Sequence, residues 1–214
     1  MPTARRTSEL PRTIPVFPLG GAILFPRGTL PLNIFEPRYL NMVDDALAGT
    51  RVIGMIQPAH GDPMHPPLME IGTLGRVTAF AETDDGRYLI TLSGLARFRV
   101  EQEIEAGTPY RQVIATYEDY ADDLRAAEGG LGVDRERLSA ALAQYGAARG
   151  FKIDWSAVDE AAPEALVHAV ATLCPFDIAA KQALLEAPTL TERAAALIAI
   201  LETDSGRDGA SPLQ

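Results

Sequence analysis

The hydrophobic period of this chain shifts from mainly strand-like to helical near residue 120, and that shift restricts the fold more than any single motif. Before it, apart from one short helical stretch, apolar residues come in short extended runs or in strict alternation. Ala96, Phe98 and Val100 alternate with Arg97, Arg99 and Glu101, a period of two that places one face in a core and leaves the other charged. After it, Leu138, Ala141, Leu142, Tyr145 and Ala148 recur at helical spacing. The chain therefore reads as α+β, with strands gathered in the first part and helices in the second.

The stretch from Ile14 to Pro58 carries the β part's organisation. Ile14 to Phe17 is apolar and extended, and Gly20-Gly21 and Pro26-Arg27-Gly28 are turn signals. Thr29 to Phe35 is extended again, and Pro31 points to an edge strand, because proline cannot donate to a ladder. Pro37 is suited to a first helical position, where its missing N–H costs nothing. Leu40, Val43 and Leu47 follow at helical spacing, with Asp44 and Asp45 opposite and Gly49 as the stop, so a helix is predicted over 37–48. Arg51 to Gln57 returns to strand. Further on, Arg76 to Thr83 and Tyr88 to Ser93 flank the hairpin turn Asp84-Asp85-Gly86. The second of these runs is apolar enough to predict burial on both faces, and Gly94 is read as its end. Tyr110 to Tyr117 supplies the last strand.

The helical part begins at Asp134. Its first stripe ends at Gly150; a second helix opens at Pro163 with Leu166, Ala169, Val170 and Leu173 as its stripe, and Pro175 ends it. A third runs from about Asp177 to Glu186. Thr189 and Glu192 form a capping box for a fourth, with Leu190, Ala194, Leu197, Ile198 and Leu201 inward. Short connections imply antiparallel neighbours in a small bundle. The expected organisation is a flexible arm over 1–13, a β-rich domain over 14–118, an acidic and glycine-rich linker over 119–133, a bundle over 134–203 and a disordered tail over 204–214.

Composition excludes several classes. With 214 residues, 47% of them hydrophobic, the chain can bury a substantial core and is not disordered. No apolar run approaches the roughly 20 residues that span a bilayer, and the first thirteen residues lack a signal peptide's apolar centre. A single cysteine, Cys174, allows no internal disulfide, so a cytoplasmic setting is expected. Net charge is −10, and only the short N-terminal arm is basic, which opposes a nucleic-acid partner. There is no Walker phosphate loop and no Gly-x-Ser-x-Gly elbow. The only lysines, Lys152 and Lys181, sit in no Ser–Lys context, so neither ATP hydrolysis nor peptide cleavage is expected. His60, Asp62 and His65 lie in a proline-rich loop at no standard zinc spacing and read as a polar loop; no metal and no cofactor is expected.

The string PVFPLGGAILFPRGTLPLNIFEPRYLNMV, from Pro15 to Val43, resembles the start of the Lon substrate-binding domain, the N-terminal domain of Lon proteases that also occurs as a separate protein. DGRYLI at Asp85 to Ile90, the Gly-x-x-Arg-Phe-Arg string at Gly94 to Arg99, and KQALLE and ERAAALIAIL near the C-terminus extend the resemblance across residues 13–203. It implies a PUA-like β-pseudobarrel followed by a helical bundle. It also implies recognition of unfolded or degron-bearing polypeptide without catalysis, as an adaptor beside a separate ATP-dependent protease. An RNA-binding PUA-like protein and a small-ligand barrel are the alternatives. The resemblance marks Phe35, Glu36, Pro37, Arg38 and Tyr39 as a peptide-binding or structural motif. Structurally, Glu36 suits a helix N-terminus, Arg38 is expected to pair with a strand carboxylate, and Tyr39 is expected to pack on the barrel. Arg97 and Arg99, on the charged strand face, are candidates to hold an acidic peptide, or else form cross-strand ion pairs.

Overall fold

The computed structural model describes residues 6–62, 65–125 and 132–207, with 206 and 207 by backbone alone. Residues 1–5, 126–131 and 208–214, which belong to the expected arm, linker and tail, lie outside the described residues. The chain divides into two units, Met1–Ala126 and Ala127–Gln214. Among the described residues no helix is long and apolar enough to cross a membrane.

The first unit contains β1 (Thr13–Pro18), β2 (Thr29–Ile34), α1 (Pro37–Ala48), β3 (Val52–Ile56), β4 (Ile71–Glu82), β5 (Tyr88–Ile104) and β6 (Gln112–Thr116). The sheet runs β2-β5-β4-β3-β1-β6, and β6 pairs back onto β5, which closes a five-stranded pseudobarrel with β2 attached outside the closure. Only β1 and β3 are parallel, and the β2–α1 connection carries the chain between them. β2 pairs with β5 alone, so Pro31 does sit on an edge strand. All five residues of β3 are buried, because its two faces feed two cores. Val52 and Ile56 join Ile14, Val16, Leu74, Ala96, Phe98 and Val113 in one of them. Ile53 and Met55 join Phe17, Ile34, Tyr39, Met42, Val43, Ile90 and Leu92 beneath α1.

α1 has the predicted bounds, but its deepest residues are Tyr39, Met42, Val43 and Ala46, with Leu40 and Leu47 at the margin of the same core. β5 is longer than its sequence suggests. Gly94 does not end it; the strand passes through a register shift there and continues to Ile104. Glycine is needed for another reason: a Cβ at Gly94 would lie 2.0 Å from the Phe25 carbonyl oxygen. The turn before β2 is pinned at this point, since the Arg27 N–H donates to the Gly94 carbonyl at 2.8 Å and the Gly94 N–H to the Gly28 carbonyl at 2.9 Å. Nor is the first half of β5 buried on both faces. Ile90 and Leu92 face the core beneath α1, but Leu89 is exposed.

The end of the expected arm is packed. Leu10 is buried, and the Pro11 carbonyl accepts a 2.7 Å bond from the Tyr117 hydroxyl. The expected linker opens with a 3-10 helix, Glu118–Leu124, that packs on β5 and contains the buried Asp123.

The second unit holds α2 (Arg135–Arg149), α3 (Trp155–Glu160), α4 (Pro163–Leu173), α5 (Ile178–Glu186) and α6 (Leu190–Arg207). Asp134, Asp154 and Asp177 cap α2, α3 and α5 with side-chain acceptors. The capping box before α6 is formed reciprocally, Thr189 N–H to the Glu192 carboxylate and Glu192 N–H to the Thr189 hydroxyl. α3 spans only six residues, too few to show a helical period in the sequence. Leu138, Tyr145, Leu166, Val167, Leu184, Leu197 and Leu201 form the interior. Two buried cations sit at helix ends. Lys181 Nζ donates to the Thr172 carbonyl of α4 at 3.0 Å. Arg193 donates to the Leu184 and Ala187 carbonyls, at the end of α5, at 2.8 and 3.1 Å. Both supply donors to carbonyls that a helix end leaves without an intrahelical partner. Part of the predicted packing fails: Ala148, Ala169 and Leu173 are exposed.

Candidate functional site

The Phe35–Tyr39 motif turns the chain from β2 into α1. Pro37 is the first helical residue, as its fixed φ favours. Glu36 occupies the capping position without a capping bond, because its carboxylate is held by Arg38, at 3.0 Å from Nε and 2.8 Å from a terminal nitrogen. The expected pairing of Arg38 with a strand carboxylate is thus replaced by a pairing two residues away. The same guanidinium lies 4.6 Å over the Tyr39 ring. Tyr39 is buried against Phe17 of β1, with ring centroids 4.3 Å apart, and burial raises its hydroxyl pKa above the usual value. Four of the five residues are therefore engaged in building the β2–α1 corner. The exception is Phe35, which is 64% exposed.

Arg97 is not on a solvated face. It is 5% exposed and is clamped by Asp123, whose two oxygens receive Nε at 2.9 Å and a terminal nitrogen at 3.0 Å; its guanidinium stacks 4.6 Å from the Tyr120 ring. The reason lies in the backbone. β6 pairs with β5 only from Arg99 onward, and β2 only up to Ser93, so the intervening edge of β5 lacks a strand partner on that side. Asp123 fills the gap, accepting the Arg97 N–H at 2.9 Å. Arg99 stays exposed and bridges Glu70 at 2.9 Å and Asp119 at 3.3 Å. Of the two arginines proposed to grip an acidic peptide, one is sealed in and the other is already bridged by two carboxylates.

The proline-rich loop is closed by backbone bonds between Gln57 and Met69 and between Ala59 and Pro67. Arg111 ties it to β5 through Pro66 and Glu103. Among the described residues no group of three His, Cys, Asp or Glu side chains could hold a metal ion.

A surface that the sequence did not indicate lies where β2 and β4 flank the first half of β5, on the side away from α1. Register sets Pro31 beside Thr91 and Thr91 beside Ala79; Asn33 sits beside Leu89 and Leu89 beside Ala81. The result is a shallow apolar ledge enclosing a depression of about 470 Å³. Leu89 is 46% exposed there and Phe35 follows directly after β2, whereas Phe80, the register partner of Ile90, lies on the α1 side with its ring 4.9 Å from Tyr88. The available signal was Leu89 itself, in a run whose alternation is masked because both of its faces carry apolar residues.

A family model of the ATP-dependent protease La (LON) substrate-binding domain matches residues 13–203. The chain belongs to that family. It is 23% identical over 203 residues to Lon protease 1 of Herpetosiphon aurantiacus, covering 90% of this chain and 24% of the relative. It is 32% identical over 108 residues to Lon protease of Desulfosudis oleivorans, covering 49% of this chain and 13% of the relative. It thus spans about a quarter or less of these relatives' length. Among solved structures, a Lon N-terminal domain protein from Xanthomonas campestris superposes with a TM-score of 0.60 at 22% identity, covering 87% of this chain and 97% of the other. The N-terminal domain of a Mycobacterium avium complex Lon protease gives 0.63 at 18%, covering 90% and 98%. The fold is therefore that of Lon N-terminal domains, an α+β pseudobarrel followed by helices.

Proposed function

We propose that this member of the Lon substrate-binding domain family is a non-catalytic polypeptide-recognition module, and that its β2–β5–β4 ledge receives apolar segments of unfolded or degron-bearing chains. The carrying observation is the ledge itself: Leu89 stands exposed on it among Pro31, Ala79 and Ala81, and the exposed Phe35 continues from the end of β2. Contiguous exposed apolar surface of this kind marks interaction sites on soluble proteins. Pro31 selects the mode of binding. A proline on the edge strand offers no N–H, which weakens strand addition along β2, so side-chain anchoring across the sheet face is favoured. An adaptor role beside a separate ATP-dependent protease follows from the same reading.

Two alternatives lose ground. Phe98, Leu74 and Ile14 fill the barrel interior and are fully buried, so a ligand there would have to displace core side chains. RNA binding has no exposed cationic cluster to serve it on the strand face, because Arg97 is buried and Arg99 is bridged.

The test is fluorescence polarisation with a labelled unfolded peptide and a labelled RNA, each at low and high salt. Peptide binding is expected at micromolar or weaker affinity, little changed by salt, since one module lacks the avidity of linked copies and apolar burial carries the contact. Leu89→Glu should weaken it by about tenfold or more, as expected for losing one well-buried aliphatic anchor. Salt-sensitive RNA binding without peptide binding would replace this reading with the RNA-binding one.

A further inference from the structure

The helical unit contains a cavity of about 460 Å³ that the ledge reading does not use. That volume lies within the range of about 300–1,000 Å³ typical of small-molecule sites. Its walls include Leu142, Tyr145, Ile153, Val158, Leu166 and Val170, drawn from α2, α3, α4 and the loop after α2. The space stays open because α3 and α4 present small side chains to it, Ala157 and Ala169 among them. It also explains why the predicted stripe on α4 is only half covered: Ala169 and Leu173 line the cavity instead of the core, and Leu173 is 81% exposed. Phe151 lies on the wall and Trp155 follows the wall residue Asp154 in the chain; both are partly exposed.

The polar groups decide what kind of molecule fits. Burial pushes the Cys174 thiol up to about 11, so that wall is uncharged at neutral pH. The Asp154 carboxylate accepts the Ala157 N–H at 3.1 Å and is engaged at the start of α3. Lys152 also lines the cavity, and its ammonium has no hydrogen-bond or ion-pair partner among the described residues. An apolar hollow rimmed by an ammonium without a partner, its carboxylate Asp154 being tied to the start of α3, complements an apolar body ending in a single anion. We propose that this cavity binds a small aliphatic monocarboxylate, its chain in the hollow and its carboxylate paired with Lys152.

Trp155 is the only tryptophan in the chain and directly follows the wall residue Asp154, so its emission is followed during the titration. The protein is titrated with decanoate below its micellar concentration, and with decanol as the uncharged equivalent, and stoichiometry is taken from calorimetry. Decanoate should saturate one site and bind more tightly than decanol. Lys152→Glu reverses the charge and should weaken decanoate by about thirtyfold, the worth of two solvent-screened unit charges at contact, and leave decanol unchanged. Ala169→Phe, a substitution at an exposed position that fills the hollow, should remove both signals while keeping the wild-type helical circular dichroism. The proposal is overturned if decanoate gives no saturable binding, if decanol binds as tightly, if Lys152→Glu binds decanoate like wild type, or if folded Ala169→Phe still does. Because none of these residues belongs to the ledge, failure here leaves the polypeptide-binding reading untouched.

Discussion

The barrel unit and the helical unit bury charge by different means. In the barrel, Arg97 meets a carboxylate: Asp123 takes its guanidinium and its backbone N–H together, and both residues are over nine-tenths buried. In the helical unit the buried cations Lys181 and Arg193 donate to main-chain carbonyls at helix ends, and Arg193 also lies 3.1 Å from the His168 ring. The contrast comes from the secondary structure. A helix end presents several unpaired carbonyls that one cation can serve. A strand edge that loses its neighbour presents an N–H, which needs an acceptor, and the arginine beside it needs one too. A single aspartate satisfies both, so an acidic segment that reads as a linker becomes part of the barrel.

This difference predicts unequal costs. Asp123→Ala leaves a buried guanidinium and a strand N–H without their acceptor and should cost about 3–5 kcal/mol. Arg193→Ala removes a donor from two carbonyls near a helix end and should cost less, about 1–3 kcal/mol. Urea unfolding of the two variants checks the order. Replacing the pair together, Arg97→Met with Asp123→Leu, should recover most of the loss if the stranded charge is its main source. If Asp123→Ala unfolds no earlier than Arg193→Ala, the aspartate is not closing the barrel edge and the comparison fails.

The two halves were also unequally legible. Strand alternation placed Ala96 and Phe98 in the core correctly, and the Thr189–Glu192 box fixed the start of α6. The same alternation placed Arg97 outside, because period shows which side of a sheet a residue takes but not whether another segment covers that side. Leu89 departs in the opposite sense: its apolar run predicts a cover that the fold does not supply. On α4 the apolar positions outnumber those that a bundle interior can bury, and the surplus, Ala169 and Leu173, lines the cavity. Phe35 to Tyr39 were visible as a motif, but their division into one exposed residue and four corner-building ones depends on tertiary contacts.

Alkaline titration should separate the units further. The Cys174 thiol in the helical unit is raised by burial from its usual 9.0 to about 11. Tyr110 in the barrel is raised from 10.0 to about 12, first by burial and then by its bond to Asp45. In each case the unfolded chain loses its proton first, so the unfolded state binds fewer protons and stability falls as pH rises. For Cys174 that loss begins near pH 9 and for Tyr110 near pH 10, each continuing to the folded value. Lys181 opposes the trend in the helical unit, since burial lowers its pKa and folding there becomes easier as the unfolded amine also deprotonates. Thermal midpoints followed from pH 8 to pH 11 should therefore decline, and Cys174→Ala should delay the onset of that decline. An unchanged onset would mean that the thiol is not held in an apolar wall, which would also weaken the description of the cavity.

The smallest expected effect concerns Arg99, two residues along the same strand from Arg97. Its side chain is 41% exposed, and its partners Glu70 and Asp119 are exposed further, at 79% and 62%. Water competes for all three groups, and salt screens what attraction remains. Arg99→Ala should thus cost under about 1 kcal/mol, less still in high salt, although the residue makes as many ion pairs as any other arginine on this face. Measured beside Asp123→Ala, it sets an exposed pair against a buried one, because each change breaks a pair between a β5 arginine and a carboxylate of the 3-10 segment. A loss from Arg99→Ala as large as that from Asp123→Ala would mean that the 3-10 segment is held chiefly by its exposed bridge at Asp119, and that Asp123 is a passenger of that docking and not its cause.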